Sequence, residues 1–218
     1  MTVSQLKKRA VAPEDKTARR AAIVRAAEEL SSRGAAFSMD QLARRAGVAK
    51  GTVYLYFGTR EEVLLAVHEK QSHELFDVVE RALAAAAPTG ESVVRSGLRY
   101  LRSHPEFYPL AANCRGMLDT NVSTEAAFAF KDRIARRLAA LGARIEALYG
   151  GLKGGEGAAL LMNCYALILG LWQLADVPLS LRAIMHPPEM QIFRIDFERQ
   201  LSAALLDLWD AAARRGGA

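Results

Sequence analysis

The sequence predicts an all-α protein of about nine helices. Apolar residues recur at helical spacing along most of the chain, as in residues 23–30, and no stretch alternates in the way of a β-strand. Joints rich in Gly and Pro separate the helical stretches, and Ser38 and Thr59 are of the residue types that cap helices. Half of the 218 residues are hydrophobic, which is enough for a substantial core and excludes a disordered composition.

The N-terminus and the cysteine content bear on the cellular compartment. The first residues, MTVSQLKKRAVAPEDK, are polar and lack the apolar region of a signal peptide. The two cysteines, Cys114 and Cys164, do not suggest a disulfide framework and fit a reducing environment. We therefore expect a cytoplasmic protein.

The charge is unevenly distributed along the chain. Residues 1–60 hold twelve Lys and Arg against five Asp and Glu, a net charge of +7. Residues 61–218 hold seventeen against nineteen, a net charge of −2. Because phosphate binding needs a concentrated basic surface, this asymmetry favours a nucleic-acid contact in the N-terminal part.

The chain begins with a segment that we expect to be a flexible arm, residues 1–15. Its basic residues 7–9 suit either a solvated tail or an arm that reaches DNA. The first helix is predicted over residues 15–32, with Gly34 as its C-terminal stop.

Residues 38–60, SMDQLARRAGVAKGTVYLYFGTR, predict a helix-turn-helix. The apolar faces of its two helices are Leu42, Ala43 and Ala46 on the first, and Val53 and Phe57 on the second. Gly47 lies between them, where a tight turn needs a positive φ. The second helix presents small and hydrogen-bonding residues on its other face: Lys50, Gly51, Thr52, Tyr54 and Tyr56.

Two predicted capping boxes frame this unit. Ser38 is followed three residues later by Gln41, and Thr59 by Glu62. Arg60 lies in the first turn of the next helix, where a cation opposes the helix dipole. Its position suits an external phosphate or, equally, a solvated surface charge.

The stretch IVRAAEELSSRGAAFSMDQLARRAGVAKGTVYLYFGTREEVLLAV resembles the N-terminal domain of the TetR family of transcriptional regulators. The resemblance covers residues 23–67, and its components occur in the order and at the spacing of the family. Two positions differ from the family pattern. Ala49 replaces the usual serine cap, and Arg60 replaces the commoner lysine while keeping the charge.

The resemblance implies a set of DNA contacts: Met39, Lys50, Gly51, Thr52, Tyr54, Tyr56 and Arg60. Lys50 and Thr52 would reach base edges or nearby phosphates, and Gly51 would let the backbone approach closely. Tyr54 and Tyr56 would hydrogen-bond to phosphates. Phosphate contacts orient such a protein, whereas base contacts select the sequence.

The resemblance also implies a division into a DNA-binding domain, residues 16–62, and a larger ligand-binding and dimerisation domain, residues 63–218. We expect a fourth helix that starts at Arg60 and serves both domains. It continues through residues 84–86 and includes a polar interval, residues 68–73. Further helices are predicted over residues 91–103, 105–118, 123–148, 157–175, 181–185 and 190–214.

Two of these helices suit a dimer interface. Residues 158–175 are apolar on almost every side, which is typical of a buried helix, although a membrane span must also be considered. We expect no membrane contact, because the interior of this stretch holds Asn163 and Gln173. The last helix has a regular apolar stripe: Phe193, Phe197, Leu201, Leu205, Leu208 and Ala212. The alternative is the core of a monomer.

An effector site is expected on the middle helices and on the long penultimate one. The candidate ligand contacts are Tyr100, His104, Phe107, Cys114, Met117, Met162, Tyr165 and Trp172. Each of them also fits an ordinary core position. The scarcity of charge in these segments favours a hydrophobic or aromatic effector, although nearby arginines leave an anion possible.

Motifs for other chemistry are weak. The glycines of YGGLKGGEG do not follow a strand and lack the ending of a phosphate loop, so we interpret them as a flexible linker. The four histidines are scattered, and no Ser, Cys or Asp has the context of a nucleophile. We expect neither a cofactor nor a metal, and no enzymatic activity.

The sequence therefore predicts a homodimeric regulator that binds double-stranded operator DNA, most simply a repressor released by a small-molecule effector. An all-α ligand-binding protein or enzyme with a vestigial DNA-binding domain is the main alternative. A non-specific architectural DNA-binding protein is another, and the large apolar C-terminal domain argues against it.

Overall fold

The computed structural model describes residues 13–31, 36–182, 184 and 187–217. Its helices are α1 (Pro13–Ser31), α2 (Met39–Ala46), α3 (Lys50–Tyr56), α4 (Arg60–Leu83), α5 (Gly90–Ser103), α6 (Phe107–Thr120), α7 (Thr124–Tyr149), α8 (Glu156–Ala175), α9 (Leu179–Arg182) and α10 (Phe197–Gly216), with a 3₁₀ helix (Pro188–Phe193) before α10. The described residues contain no strand, which confirms the all-α class.

The chain divides into two compact units between Val67 and His68. This division falls within α4, five residues after the boundary that the sequence suggests. Helix α4 therefore contributes residues to both units.

In the first unit, α1, α2 and α3 pack around fully buried apolar residues that include Ile23, Leu42 and Val53. Helix α1 begins at Pro13, so the last three residues of the expected arm are helical. Proline suits such a start because a helix leaves its first amides unbonded. The basic residues 7–9 and Gly34 lie outside the described residues.

The local signals of the helix-turn-helix are present as the sequence predicts. The hydroxyl of Ser38 accepts a hydrogen bond from the Gln41 amide at 3.2 Å, and the Gln41 side chain accepts one from the Ser38 amide at 2.7 Å. Gly47 ends α2 with a φ of 67°. Ala49 precedes α3 and has only a methyl side chain, so this helix starts without a side-chain cap. At the start of α4, Glu62 donates its amide to Thr59 and accepts from the Gly58 amide.

The second unit is a helical bundle in which α8 packs against α7 and α10, and α10 packs against α5. The crossing of α7 and α8 depends on two glycines. A Cβ atom at Gly142 would lie 2.5 Å from the Ala158 backbone nitrogen, and one at Gly157 would lie 2.1 Å from the Gly142 oxygen. The two backbones are therefore in direct contact.

The glycine-rich connection between α7 and α8 is ordered, so its interpretation as a flexible linker is wrong. The Glu146 carboxylate accepts hydrogen bonds from the amides of Gly155 and Gly157, at 2.8 and 3.0 Å. Gly150 and Gly155 adopt φ values of 50° and 93°. These glycines serve a tight turn that brings α8 back along α7.

Two predicted helices end or begin elsewhere. Helix α4 stops at Leu83, because the exposed alanines 84–86 offer no apolar face to bury. The predicted helix of residues 190–214 is split into the 3₁₀ helix and α10. Asp196 caps α10 by accepting from the Arg199 amide, and this cap leaves Phe193 off the stripe and about half exposed.

Among the described residues, one helix, α8, is long and apolar enough to span a membrane by length and composition. Few of its residues are buried within this chain. Its exposed side includes Ala159, Asn163, Ala166 and Gln173, which recur at helical spacing.

Candidate nucleic-acid interface and ligand cavity

Helix α3 presents an open face to solvent. Val53 is fully buried, whereas Lys50, Gly51 and Tyr54 are exposed. A Cβ atom built at Gly51 would meet nothing within 4 Å. Since packing within the protein does not require a glycine there, the open backbone is a feature of the outer surface.

Lys50 is tied to the preceding helix. Its Nζ donates to Asp40 at 3.0 Å, and this hydrogen bond, with the charge of Asp40, holds the pKa of Lys50 above its ordinary value. Both side chains are about half exposed. Lys50 is therefore a fixed positive charge at the N-terminal end of α3, next to Gly51.

The remaining predicted contacts lie on the same unit with partial exposure. Thr52, Tyr56 and Arg60 are half-buried. The guanidinium of Arg60 lies 3.4 Å from the carboxylate of its neighbour Glu61, a partly exposed pair whose attraction is screened by solvent.

Met39 does not lie on this surface, contrary to the expectation. It is the first residue of α2, and only 9% of its side chain is exposed. Its side chain belongs to the apolar core of the unit, where the first turn of α2 packs against its neighbours.

Leu55 is an exposed residue of α3 that sequence reasoning missed. It is 81% exposed, the largest value among the large hydrophobic residues described. The signal was available, because Leu55 is out of phase with the buried pair Val53 and Phe57. An exposed apolar side chain on such a helix suits contact with a thymine methyl group.

The second unit contains a cavity of about 390 Å³. Helices α4, α5, α6, α7, α8 and α10 all contribute to its wall. Most of the lining is aliphatic or aromatic, and the polar side chains are few. A mostly apolar cavity of this size is typical of a small-molecule site, in the lower part of the usual range.

Four of the eight predicted ligand contacts line this cavity: Phe107, Cys114, Met162 and Tyr165. The other four lie elsewhere. Tyr100 donates to Glu74 and stacks on His104, with ring centroids 4.1 Å apart. Trp172 stacks on Tyr108, and Met117 is buried away from the cavity.

His68 lines the cavity and was not among the predicted contacts. It belongs to the predicted polar interval of α4, yet His68, Gln71 and Ser72 are all buried. Burial lowers the pKa of His68 to about 4, and the charge of Lys131 acts in the same direction. The imidazole is therefore neutral at physiological pH. The sequence signal was its spacing from Leu64, four residues before it, and Leu75, seven residues after it, which places His68 on the apolar side of α4.

The thiols of the cavity are protonated. Burial raises the pKa of Cys164 to about 11 and also raises the pKa of Cys114. Neither cysteine is in a disulfide. Within the described ranges, no three His, Cys, Asp or Glu side chains are grouped so that they could hold a metal ion.

Ion pairs connect two helices of the cavity wall, α4 and α7. Arg133 donates to the buried Glu69 at 2.9 Å, and Arg144 donates to Glu80 at 2.7 Å. Arg137 lies between them and donates to Glu80 as well, at 3.3 Å. These pairs hold the part of α4 that follows His68 against α7.

Comparison with known proteins identifies both units. Residues 22–67 match the family profile described as bacterial regulatory proteins, tetR family. Residues 69–212, about two thirds of the chain, match the profile described as tetracyclin repressor-like, C-terminal domain. No curated protein matches the chain.

Solved structures share the fold across most of the chain. A protein of unknown function from Rhodococcus sp. RHA1 has a TM-score of 0.55 at 16% identity, covering 95% of this chain and 98% of its own. The regulator FadR from Bacillus subtilis, in complex with stearoyl-CoA, has a TM-score of 0.53 at 17% identity, covering 87% and 97%. The regulator SCO7222 from Streptomyces coelicolor, a TetR, has a TM-score of 0.52 at 18% identity, covering 90% and 98%.

Proposed function

This chain belongs to the TetR family of DNA-binding transcriptional regulators. On that basis we propose that it is a repressor and that an apolar small molecule releases it from its operator. The observation that carries this proposal is the pairing of an open recognition helix with an apolar cavity in the other unit. On this view the protein is a cytoplasmic regulator without enzymatic activity.

The DNA contacts that we propose are Lys50, Gly51, Thr52, Tyr54, Tyr56 and Arg60. We add Leu55 to this set as an apolar contact, because its side chain is exposed on α3. The net charge of +7 on residues 1–60 would supply attraction to phosphates that weakens as salt is added.

The active species would be a homodimer. The composition and exposure of α8 support this, since an apolar helix that is little buried within its own chain calls for a partner. Two recognition helices would then bind half-sites about 34–36 Å apart, or somewhat more, on a palindromic operator.

The effector would bind in the cavity, in contact with Phe107, Cys114, Met162, Tyr165 and residues around them. Helix α4 could couple effector binding to DNA binding. It contributes residues to both units, and several of its residues line the cavity. A ligand that prefers one position of α4 would shift the population of DNA-binding states. FadR, which shares the fold, binds stearoyl-CoA. The cavity here has room for a compact apolar group only.

The decisive experiment is binding of the purified protein to the DNA upstream of its own gene, compared with random duplex at two salt concentrations. We expect a preference for the upstream DNA that persists at the higher salt. Equal, salt-sensitive binding to both duplexes would indicate phosphate contacts alone. Ligand binding without DNA binding would favour the alternative of a vestigial DNA-binding domain.

A further inference from the structure

His68 is a polar side chain in an apolar wall. It is 2% exposed, and its Nδ1 atom has no hydrogen-bond partner among the residues that the structure describes. A buried polar atom without a partner is uncommon in folded proteins, because its lost hydration is not compensated. Since His68 lines the cavity, a ligand in the cavity is the natural source of the missing partner.

The surroundings of the imidazole restrict what that partner can be. The rings of Phe107, Phe130 and Tyr165 lie 5.4, 6.2 and 6.5 Å from it, centroid to centroid. The Tyr165 hydroxyl is 3.4 Å from His68 Nε2, which leaves Nδ1 as the atom available to a ligand. The Ser72 hydroxyl is already donating to the backbone oxygen of His68.

The interior of the cavity disfavours full charges of either sign. Burial lowers the pKa of His68 and raises the pKa of Tyr165 and of Cys114, so all three groups are neutral near pH 7. Within the described part of the chain, Lys131 is the one charged side chain that lines the cavity, and it is exposed. A ligand group beside His68 would therefore lose its hydration without gaining a counter-charge.

We propose that the effector is an uncharged, largely apolar molecule with one hydroxyl or carbonyl group, which hydrogen-bonds to His68 Nδ1. The proposal rests on the proposed function, in which this cavity receives the effector. A hydroxyl satisfies either tautomer of the ring, whereas a carbonyl requires the tautomer with a proton on Nδ1. The apolar remainder of the ligand fills the aliphatic and aromatic part of the cavity, which limits it to a compact body.

The competing ligand class is a carboxylate that places its charge beside Lys131 at the surface. That arrangement would use an exposed ammonium group, whose attraction for an anion is screened by water and salt. It would also leave His68 Nδ1 without a partner. Affinity would depend on His68 for the uncharged ligand and on Lys131 for the carboxylate. Substitution of each residue therefore distinguishes the two ligand classes.

The test uses three probes of similar size: para-propylphenol, butylbenzene and para-propylbenzoate. Binding of each to the full-length protein at pH 7.5 is measured by calorimetry or by the shift in Tm. We expect the phenol to bind at least about ten-fold more tightly than the hydrocarbon, the usual size of one hydrogen bond to a buried group. The benzoate should bind more weakly than the phenol.

Three variants assign the effect to a residue. His68→Phe should remove the preference for the phenol over butylbenzene while keeping affinity for butylbenzene. His73→Phe, five residues further along α4 and outside the cavity lining, is the matched control and should keep the preference. Lys131→Met should keep the preference for the phenol over the benzoate, because the proposal gives the charge of Lys131 no part in that preference. Retained butylbenzene binding by His68→Phe also shows that the variant is folded.

Preferential binding of the benzoate, with loss of that binding in Lys131→Met, would overturn the proposal in favour of an anion. Equal phenol affinity in wild type and His68→Phe would also overturn it. The same samples are assayed on upstream DNA. Specific DNA binding without binding of any probe would reject this effector class and leave the regulator intact, whereas loss of specific DNA binding itself would reject the proposed function.

Discussion

At the scale of single residues, Gly51 and His68 each have a feature that packing within the described part of the chain does not explain. Gly51 is a helical glycine with open space where its Cβ would be, and His68 has a buried nitrogen without a described partner. A helix without a constraint favours alanine over glycine, and a core favours an apolar side chain over histidine. Both residues therefore fit the contacts with DNA and with the effector that we propose.

Substitution of Gly51 by alanine should separate stability from DNA binding. The free energy of unfolding should stay level or rise by about 0.5–1 kcal/mol, because alanine is the better helix former. Operator affinity should fall about ten-fold, equivalent to ~1.4 kcal/mol, because the methyl group keeps the DNA backbone away. Gly116→Ala is the control, since a Cβ there also meets nothing within 4 Å. It should leave DNA binding unchanged, and equal operator affinity of Gly51→Ala would exclude close approach at this residue.

His68 should make the protein less stable in mild acid. Its pKa is about 4 in the folded chain and about 6.5 in the unfolded chain, so between these values the unfolded state binds the extra proton. The free energy of unfolding therefore falls as the pH is lowered from about 6.5 to about 4, by up to about 3 kcal/mol from this group. Chemical denaturation at a series of pH values measures the effect.

The matched comparison for this pH dependence is between His68→Phe and His73→Phe. The first should lose the acid-dependent part of the slope, and the second should keep it. Other groups near the imidazole are Glu69 on the same helix, Lys131 on α7 and Tyr165 on α8. They are present in the wild type and in both variants, so the difference between the wild type and His68→Phe reports on His68, and His73→Phe controls for the loss of a histidine from α4. A slope that survives in His68→Phe would assign the acid sensitivity to one of these neighbours.

At the scale of helices, the sequence predicted where the helices begin and end better than it predicted which helices pack against each other. Capping residues and 3.6-residue periodicity are local, so the ends of α5, α7 and α8 agree with the prediction to within one residue. The split before α10 was missed because Phe193 and Phe197 continue an i, i+4 pattern across it. The contact of α7 with α8 was missed because a helical glycine does not reveal which backbone approaches it.

The α7–α8 contact predicts a specific weakness at Gly142. A methyl group there would lie 2.5 Å from the Ala158 backbone nitrogen, so the helices must separate or tilt. We expect Gly142→Ala to lower the free energy of unfolding by about 2 kcal/mol, the usual cost of overpacking. Gly97→Ala on α5 is the control, because its Cβ would be 3.8 Å from Leu75, an ordinary contact. Thermal and urea denaturation measure the free energy of unfolding of both variants. Equal values would mean that α7 and α8 accommodate the methyl group without a loss of stability.

At the scale of the whole molecule, the sequence predicted the fold class and the kind of activity, whereas four of the eight predicted ligand contacts line the cavity. The cavity wall draws on six helices that are far apart in the chain, and a periodic pattern shows only that a residue is buried. Phe107 and Tyr165 line the cavity, whereas Trp172, on the same helix as Tyr165, stacks on Tyr108 instead. His68 was not predicted because it belongs to the polar interval of residues 68–73, and polar residues in a helix are mostly exposed.

The exposed side of α8 leads to a prediction about assembly. Ala166 is exposed near the middle of this helix, among small and apolar neighbours. If the exposed side of α8 lies in the proposed dimer interface, Ala166→Glu places a charge at this contact and should yield a monomer. Operator affinity should then fall by at least a hundred-fold, about 2.7 kcal/mol, because each unit binds its half-site alone. Light scattering and operator binding measure the two effects.

Ala139→Glu supplies the control, because Ala139 is an exposed alanine on α7, a helix outside the proposed interface. It adds the same charge and should leave both mass and operator affinity unchanged. Butylbenzene binding by Ala166→Glu should also persist, since the cavity lies within one chain. A dimer of unchanged stability in Ala166→Glu would move the interface away from this side of α8. A monomer with full operator affinity would show that one recognition helix is sufficient for binding.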